Sequence, residues 1–194
     1  MFLIILNDDL IVGKGAHRAC YRHPHLYNRC IKISHKKHQK HAEEQLKEIS
    51  YYDFLIRRDI RWDLLTRYHG VVDTNMGVGY IFDLVIDANH EPAKTLEHYL
   101  HGPLPAGTVD SLLKLKVYLM DNAIVTSELK PRNIACTINK EGIIDSCVIV
   151  DDIGNKEFIP VSNYFRFAAQ YKIARKWRRF ESRLNGFGIS LSEK

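Results

Sequence analysis

Along the first third of the chain the apolar positions come in short runs divided by turn residues. Leu3 to Val12, Ala19 to Arg22 and Arg29 to Ser34 are rich in β-branched or aromatic side chains, with turn chemistry at Gly13 to Gly15 and His23 to Asn28. This spacing predicts an antiparallel meander. From Gln39 to Arg58 polar residues crowd in while Leu46, Ile49, Tyr52 and Leu55 recur at helical intervals, which predicts an amphipathic helix packed on the strands. Strand signals return at Gly70 to Thr74 and Val78 to Ile86, joined by a turn at Asn75-Met76-Gly77. The pattern then changes. Thr95 to His101 and Thr108 to Asn122 read as helices, the second with Leu112, Leu115 and Leu119 along one stripe. Ile134 to Thr137 and Ile143 to Val150 predict a hairpin across Asn139 to Gly142, and a last helix is expected from Asn163 to Leu184.

The chain has 194 residues and is 45% hydrophobic, enough for the core of one domain. It contains no repeat, low-complexity tract or long Pro/Gly/Ser linker. The formal charge of +5 favours anionic partners without choosing among nucleotides, nucleic acid and acidic lipid. The apolar start, Met1 to Leu6, is ended by Asn7, Asp8 and Asp9, far short of a membrane-spanning helix or signal-peptide core. Cys20, Cys30, Cys136 and Cys147 form no C-x-x-C pair and sit in apolar runs, as buried thiols of a reducing cytoplasm do.

Four short segments carry candidate chemistry. Gly13-Lys14-Gly15 lies between two predicted strands, where two glycines let backbone N–H groups approach phosphate; an ordinary hairpin turn is the plain alternative. Arg18 follows where a third glycine would complete a phosphate loop, and an arginine beside phosphates is chemically sensible. In Cys30-Ile31-Lys32-Ile33 a lysine is flanked by apolar strand residues and needs an anionic partner; Glu48 is the best candidate, with Glu43 and Glu44 as alternatives. Glu128-Leu129-Lys130-Pro131-Arg132-Asn133-Ile134 resembles the protein-kinase catalytic loop D-L-K-P-x-N. There Glu128 takes the place of the proton-accepting carboxylate, Lys130 steadies the transferring phosphoryl group and Asn133 binds Mg²⁺. Asp151-Asp152-Ile153-Gly154 resembles D-F-G, with Asp152 in the metal-binding register and Asp151 as runner-up, because adjacent strand residues face opposite ways unless the backbone turns between them.

The order of these motifs implies an α+β, bilobal protein-kinase-like fold: a small antiparallel-sheet lobe with one helix and a hinge over residues 1–86, then a reduced, mainly helical lobe over 87–194. Phe82, Asp83 and Leu84 are expected at the adenine end of a site for ATP and Mg²⁺, with Gly13, Gly15 and Lys32 at the phosphates. Further segments are similar to the YrbL family, named for the bacterial PhoP regulatory network: Gly15-Ala16-His17-Arg18-Ala19-Cys20-Tyr21-Arg22-His23-Pro24, Arg67-Tyr68-His69-Gly70, Gly77-Val78-Gly79-Tyr80 and Leu129-Lys130-Pro131. The resemblance implies a bacterial cytoplasmic protein under a magnesium-responsive circuit. Glutamate at 128 lengthens the catalytic side chain, and the lack of an A-P-E sequence favours a small or envelope-related hydroxyl substrate over a peptide.

A pseudokinase scaffold with a protein partner is the competing class. Nucleic-acid binding through Arg175-Lys176-Trp177-Arg178-Arg179 ranks third, since Ile173, Trp177, Phe180 and Leu184 recur at helical spacing and assign those basic residues to a wet outer face. His35, His38 and His41, set among lysines, read as a solvated turn ahead of a metal site.

Overall fold

The computed structural model describes residues 3–15, 18–34, 39–154 and 165–191. His35 and His38, and the side chain of His41, lie outside the described residues. Strands β1 (Ile11–Lys14), β2 (Arg18–Arg22), β3 (Arg29–Ser34), β4 (Tyr68–Thr74) and β5 (Gly77–Asp83) form an antiparallel sheet in the order β1-β2-β3-β5-β4. Helix α1 (Gln39–Arg57) follows β3. A second, three-stranded sheet contains β6 (Lys94–Thr95), β7 (Ile134–Ile138) and β8 (Ile144–Ile149), accompanied by α2 (Leu96–Tyr99), α3 (Thr108–Asp121) and α4 (Arg166–Asn185). The fold is therefore mixed α+β.

The period of two along β3 sorts its residues onto two faces. Ile31 and Ile33 join Leu6, Ala19 and Tyr21 in a small outer cluster. Cys30 and Lys32 point the other way, towards α1 and the main core. That core is continuous from Tyr52, Leu55 and Phe82 to Leu112, Leu115 and Leu119 of α3 and Ile173, Trp177, Phe180 and Leu184 of α4.

Two local expectations need correction. Leu3 to Val12 is not one strand: Asp8–Leu10 is a single 3-10 turn, and Ile4 makes only an isolated parallel bridge to Thr74. The polar Asn7-Asp8-Asp9 run, whose short side chains compete with ladder hydrogen bonds, divides it. On α1 the buried face is Gln45, Glu48, Tyr51, Tyr52 and Leu55, while Leu46 is exposed. Polar Gln45 and Glu48 disguised that stripe. β6, only two residues long, gave no signal.

Tyr51 joins α1 to the second half of the chain. Val125 N donates to its hydroxyl over 2.8 Å, and Gly154, at φ +103°, lets the backbone pass where a Cβ would stand 3.3 Å from Tyr51 Cβ. Burial pushes the Tyr51 phenol up to about 12. The folded pKa is raised, so the folded state keeps its proton while the unfolded chain loses it; stability intact below pH 10 therefore falls as pH rises towards 12. Tyr51→Phe is expected to flatten that alkaline slope by about 1.4 kcal/mol per pH unit, and to cost roughly 1–3 kcal/mol at neutral pH by orphaning the Val125 N–H. Urea unfolding between pH 9 and 11.5 measures both; an unchanged alkaline slope contradicts the assignment.

Candidate functional site

The loop between α3 and β7 contains a single 3-10 turn, Pro131–Asn133, begun by the proline and packed against α2 and β6. Asn133 N donates to Lys130 O over 2.9 Å, and Val150 N donates to Asn133 O over 2.9 Å, which fixes the loop against the end of β8. Glu128 pairs with Lys130 at 2.7 Å and with Arg183 at 3.2 Å. The Lys130 hydrogen bond, aided by Arg183, holds the Glu128 carboxyl below its ordinary value, so it is ionised at neutral pH and able to accept a proton.

Directly after β8 the backbone turns. Asp152 adopts φ +65°, a left-handed conformation that costs a non-glycine residue about 1–2 kcal/mol. With this turn the two adjacent acidic residues reach different partners. Asp152 Oδ1 accepts from Ser127 Oγ at 2.5 Å, and Oδ2 accepts from Asn133 Nδ2 at 3.1 Å. Asp151 Oδ1 accepts from Asp152 N at 2.7 Å and also pairs with Arg18. Thus the structure brings Asn133 and Asp152 together and gives Asp151 a different partner.

Lys32 and Glu48 are both buried, but they are not the expected pair. Lys32 Nζ donates to Val150 O at 2.5 Å and stands 4.2 Å from the centroid of the Phe82 ring. Glu48 Oε2 instead accepts from Arg18 at 2.7 Å, while Glu48 Oε1 is buried with no partner among the described residues. The Arg18 guanidinium bridges Glu48 and Asp151 with two forked nitrogens, a geometry an ammonium cannot reproduce. Burial, reinforced by Arg18, lowers the Lys32 pKa. Glu43 is exposed on α1.

Phe82, at the end of β5, is fully buried between Tyr52 and Tyr68, with centroids 5.2 and 5.4 Å away. Asp83 N donates to Arg67 O and Leu84 N to Asn28 O, both at 3.0 Å. The Asp83 carboxylate pairs with Arg29 at 2.8 Å and lies 2.7 Å from His69 Nε2. The N–H groups expected to face the adenine are thus engaged within the chain, which motif matching could not foresee. At the glycine loop, Gly13 has open space over its Cα, and Gly15 N donates to Arg18 O at 2.8 Å.

Helix α4 holds the loop from below. Lys176 Nζ donates to Ser127 O, and Arg183 NH1 donates to Leu129 O at 3.2 Å. The expectation of a wet outer face holds for Arg175, Arg178 and Arg179 but fails for Lys176, whose burial lowers its pKa. Sequence reasoning missed Lys176 and Arg183. Their seven-residue spacing on one helix face was the available signal, hidden among neighbouring basic residues.

Among the described residues no three His, Cys, Asp or Glu side chains converge as a metal cage. That is compatible with Mg²⁺, which takes one or two protein oxygens and keeps water or substrate phosphate for the rest. The Asp152 carboxylate and the Asn133 carboxamide carry oxygens of the required hard kind, and the two side chains are in contact, with Asn133 Nδ2 donating to Asp152 Oδ2 at 3.1 Å. No helix among the described residues is long and apolar enough to cross a membrane.

The site and fold belong to a chain that matches one family model, the PhoP regulatory network protein YrbL, over residues 4–185. The protein is a member of the YrbL family. It is 37% identical over 183 residues to "Uncharacterized protein YrbL" of Escherichia coli strain K12, covering 92% of this chain and 86% of that one. The same figures hold for the protein of that name from Shigella flexneri.

Because Arg18 neutralises two carboxylates in the seam, Arg18→Met is expected to destabilise the fold by roughly 2–4 kcal/mol, somewhat below a fully buried pair. A double-mutant cycle with Glu48→Gln, read by urea unfolding, should give a coupling of at least ~1 kcal/mol. Additive losses would show that the bridge carries no energy.

Proposed function

We propose that the protein is a kinase-like phosphotransferase that binds ATP with Mg²⁺ in the cleft between the two sheets and acts on a small hydroxyl substrate. The observation that carries this reading is the 3.1 Å contact between Asn133 and Asp152, which unites two motifs nineteen positions apart in sequence. Bound Mg²⁺ would neutralise phosphate charge between these two residues. Ser127 orients the Asp152 carboxylate through its 2.5 Å hydrogen bond. Glu128, held ionised by Lys130, receives the acceptor's hydroxyl proton as that oxygen bonds to the γ-phosphorus and the bridging oxygen leaves with ADP. Lys130, next to Glu128, steadies the transferring group. Gly13 leaves room for phosphate over its backbone, and Phe82 closes the back of the cleft. Phe82 to Leu84 border the adenine, with the engaged N–H groups of Asp83 and Leu84 leaving backbone carbonyls as its natural partners.

A second reading, a pseudokinase scaffold for a protein partner, is favoured by one observation. The cations expected at the phosphates are occupied, Lys32 by Val150 O and Arg18 by Glu48 and Asp151.

Titration calorimetry with ATP separates the two. The enzyme reading expects Mg²⁺-dependent binding that Asp152→Ala weakens by about ten- to a hundredfold, the range of a lost charged contact. Glu128→Gln should bind ATP within about twofold of wild type while losing phosphoryl transfer, as removal of a group used only in the transition state does. A folded wild type that binds no ATP with Mg²⁺ rejects the enzyme and leaves the scaffold.

A further inference from the structure

A cavity of about 320 Å³ opens beside the Glu128 loop, between α2, the Lys130–Arg132 turn and the end of α4. Its lining includes Glu97, His101, Lys130, Arg132, Arg183 and Phe187. The volume falls at the small end of ligand sites, enough for a compact metabolite and too little for a folded peptide segment. Two lining residues, Lys130 and Arg183, are the partners of Glu128. The cavity and the proposed base therefore share their cations.

The charges around it are unbalanced. Lys130, Arg132 and Arg183 are permanent cations, while Glu97 is the one carboxylate among the described lining residues, and Glu128 adds a second from the adjoining loop. Arg132 is exposed and makes no ion pair among the described residues. Arg183 uses one nitrogen on Leu129 O and another on Glu128, and a guanidinium has five N–H donors, so donors remain. Also in the lining, Phe187 is half-exposed and meets His101 edge to face, at 6.5 Å between centroids. An aromatic surface and two arginines with donors to spare suit a ligand that has both a carbon face and an anion.

We propose that this cavity binds the acceptor through a phosphate monoester: the substrate is a small hydroxyl compound that already carries one phosphate group. This rests on the phosphotransferase reading above. Arg132 and Arg183 grip the phosphate, Phe187 covers the carbon skeleton, and the free hydroxyl lies towards Glu128. A phosphate dianion has oxygens enough to engage both guanidiniums at once, more than the two of a monocarboxylate.

The test needs no nucleotide, so it fails separately from the ATP experiment. Glycerol 3-phosphate is titrated into the full chain without ATP or Mg²⁺, at fixed low salt, for wild type, Arg132→Gln, Arg183→Gln and Arg175→Gln. Arg175 lies on the outer face of α4 and controls for net charge. Saturable binding weakened about tenfold or more by each of the first two changes, and less than about twofold by the third, is expected. Arg132 is exposed and makes no ion pair among the described residues, so its variant remains informative if Arg183→Gln folds poorly. No saturable binding by wild type, full affinity in both cavity variants, or equal losses in Arg175→Gln would each overturn the proposal. Glycerate binding as tightly as glycerol 3-phosphate would overturn the phosphate assignment.

Discussion

Two carboxylates, Glu48 from α1 and Asp151 from the turn after β8, meet at the seam between the sheet-bearing halves of the chain, and one guanidinium lies between them. Removing two anions from water without a cation would cost several kcal/mol each. Arg18 supplies that cation from β2, and only a long planar fork can reach both. Once Arg18 is committed there, a second cation close to Glu48 is disfavoured, which accounts for Lys32 turning to a backbone carbonyl and an aromatic face instead. The position of α1 and the orientation of Asp151 follow from this one assignment of charge, and Arg18 adds to the burial that depresses the Lys32 pKa.

What the sequence disclosed was mainly what depends on period and spacing. β3, the helical range of α1, the α3 stripe and the β7–β8 hairpin follow from alternation, helical recurrence and turn residues, all local properties. The juxtaposition of Asn133 and Asp152 was legible because each sits in a motif whose order along the chain is itself informative. The Lys32–Glu48 pairing was not, because a motif names residue types and leaves unsaid which of two nearby cations reaches the buried carboxylate. Arg18 stood out only as a departure from a glycine pattern. Lys176 was hidden for a different reason: an amphipathic pattern assigns lysines to solvent, and a long side chain can cross from the margin of the apolar face to a carbonyl beneath the loop.

Membership of the YrbL family places the chain with proteins of the PhoP regulatory network. The cations around the Asp151 turn have internal partners, Lys32 at Val150 O and Arg18 at Glu48 and Asp151. An anion drawn to them would compete with those partners, and a weak one gains too little to displace a forked, half-buried ion pair.

Between Ile149 and Gly154 each residue in turn has its own set of partners, with only Asn133 serving two of them. Ile149 bonds to Leu64 and Thr66, Val150 to Lys32 and Asn133, Asp151 to Arg18, Asp152 to Ser127 and Asn133, Ile153 bridges Thr126, and Gly154 reaches Val125. The segment works like the wards of a key, in which meaning lies in sequence position and a shift of one notch matches nothing. Point changes there are graded in effect, whereas the gain or loss of a single residue would misdeliver every one of these partners at once. By contrast, among the described residues the hydrogen bonds of the Asn139 to Gly142 turn at the far end of the same hairpin close within residues 139–143, so a change of length there would disturb one local turn and leave the distant partners in register.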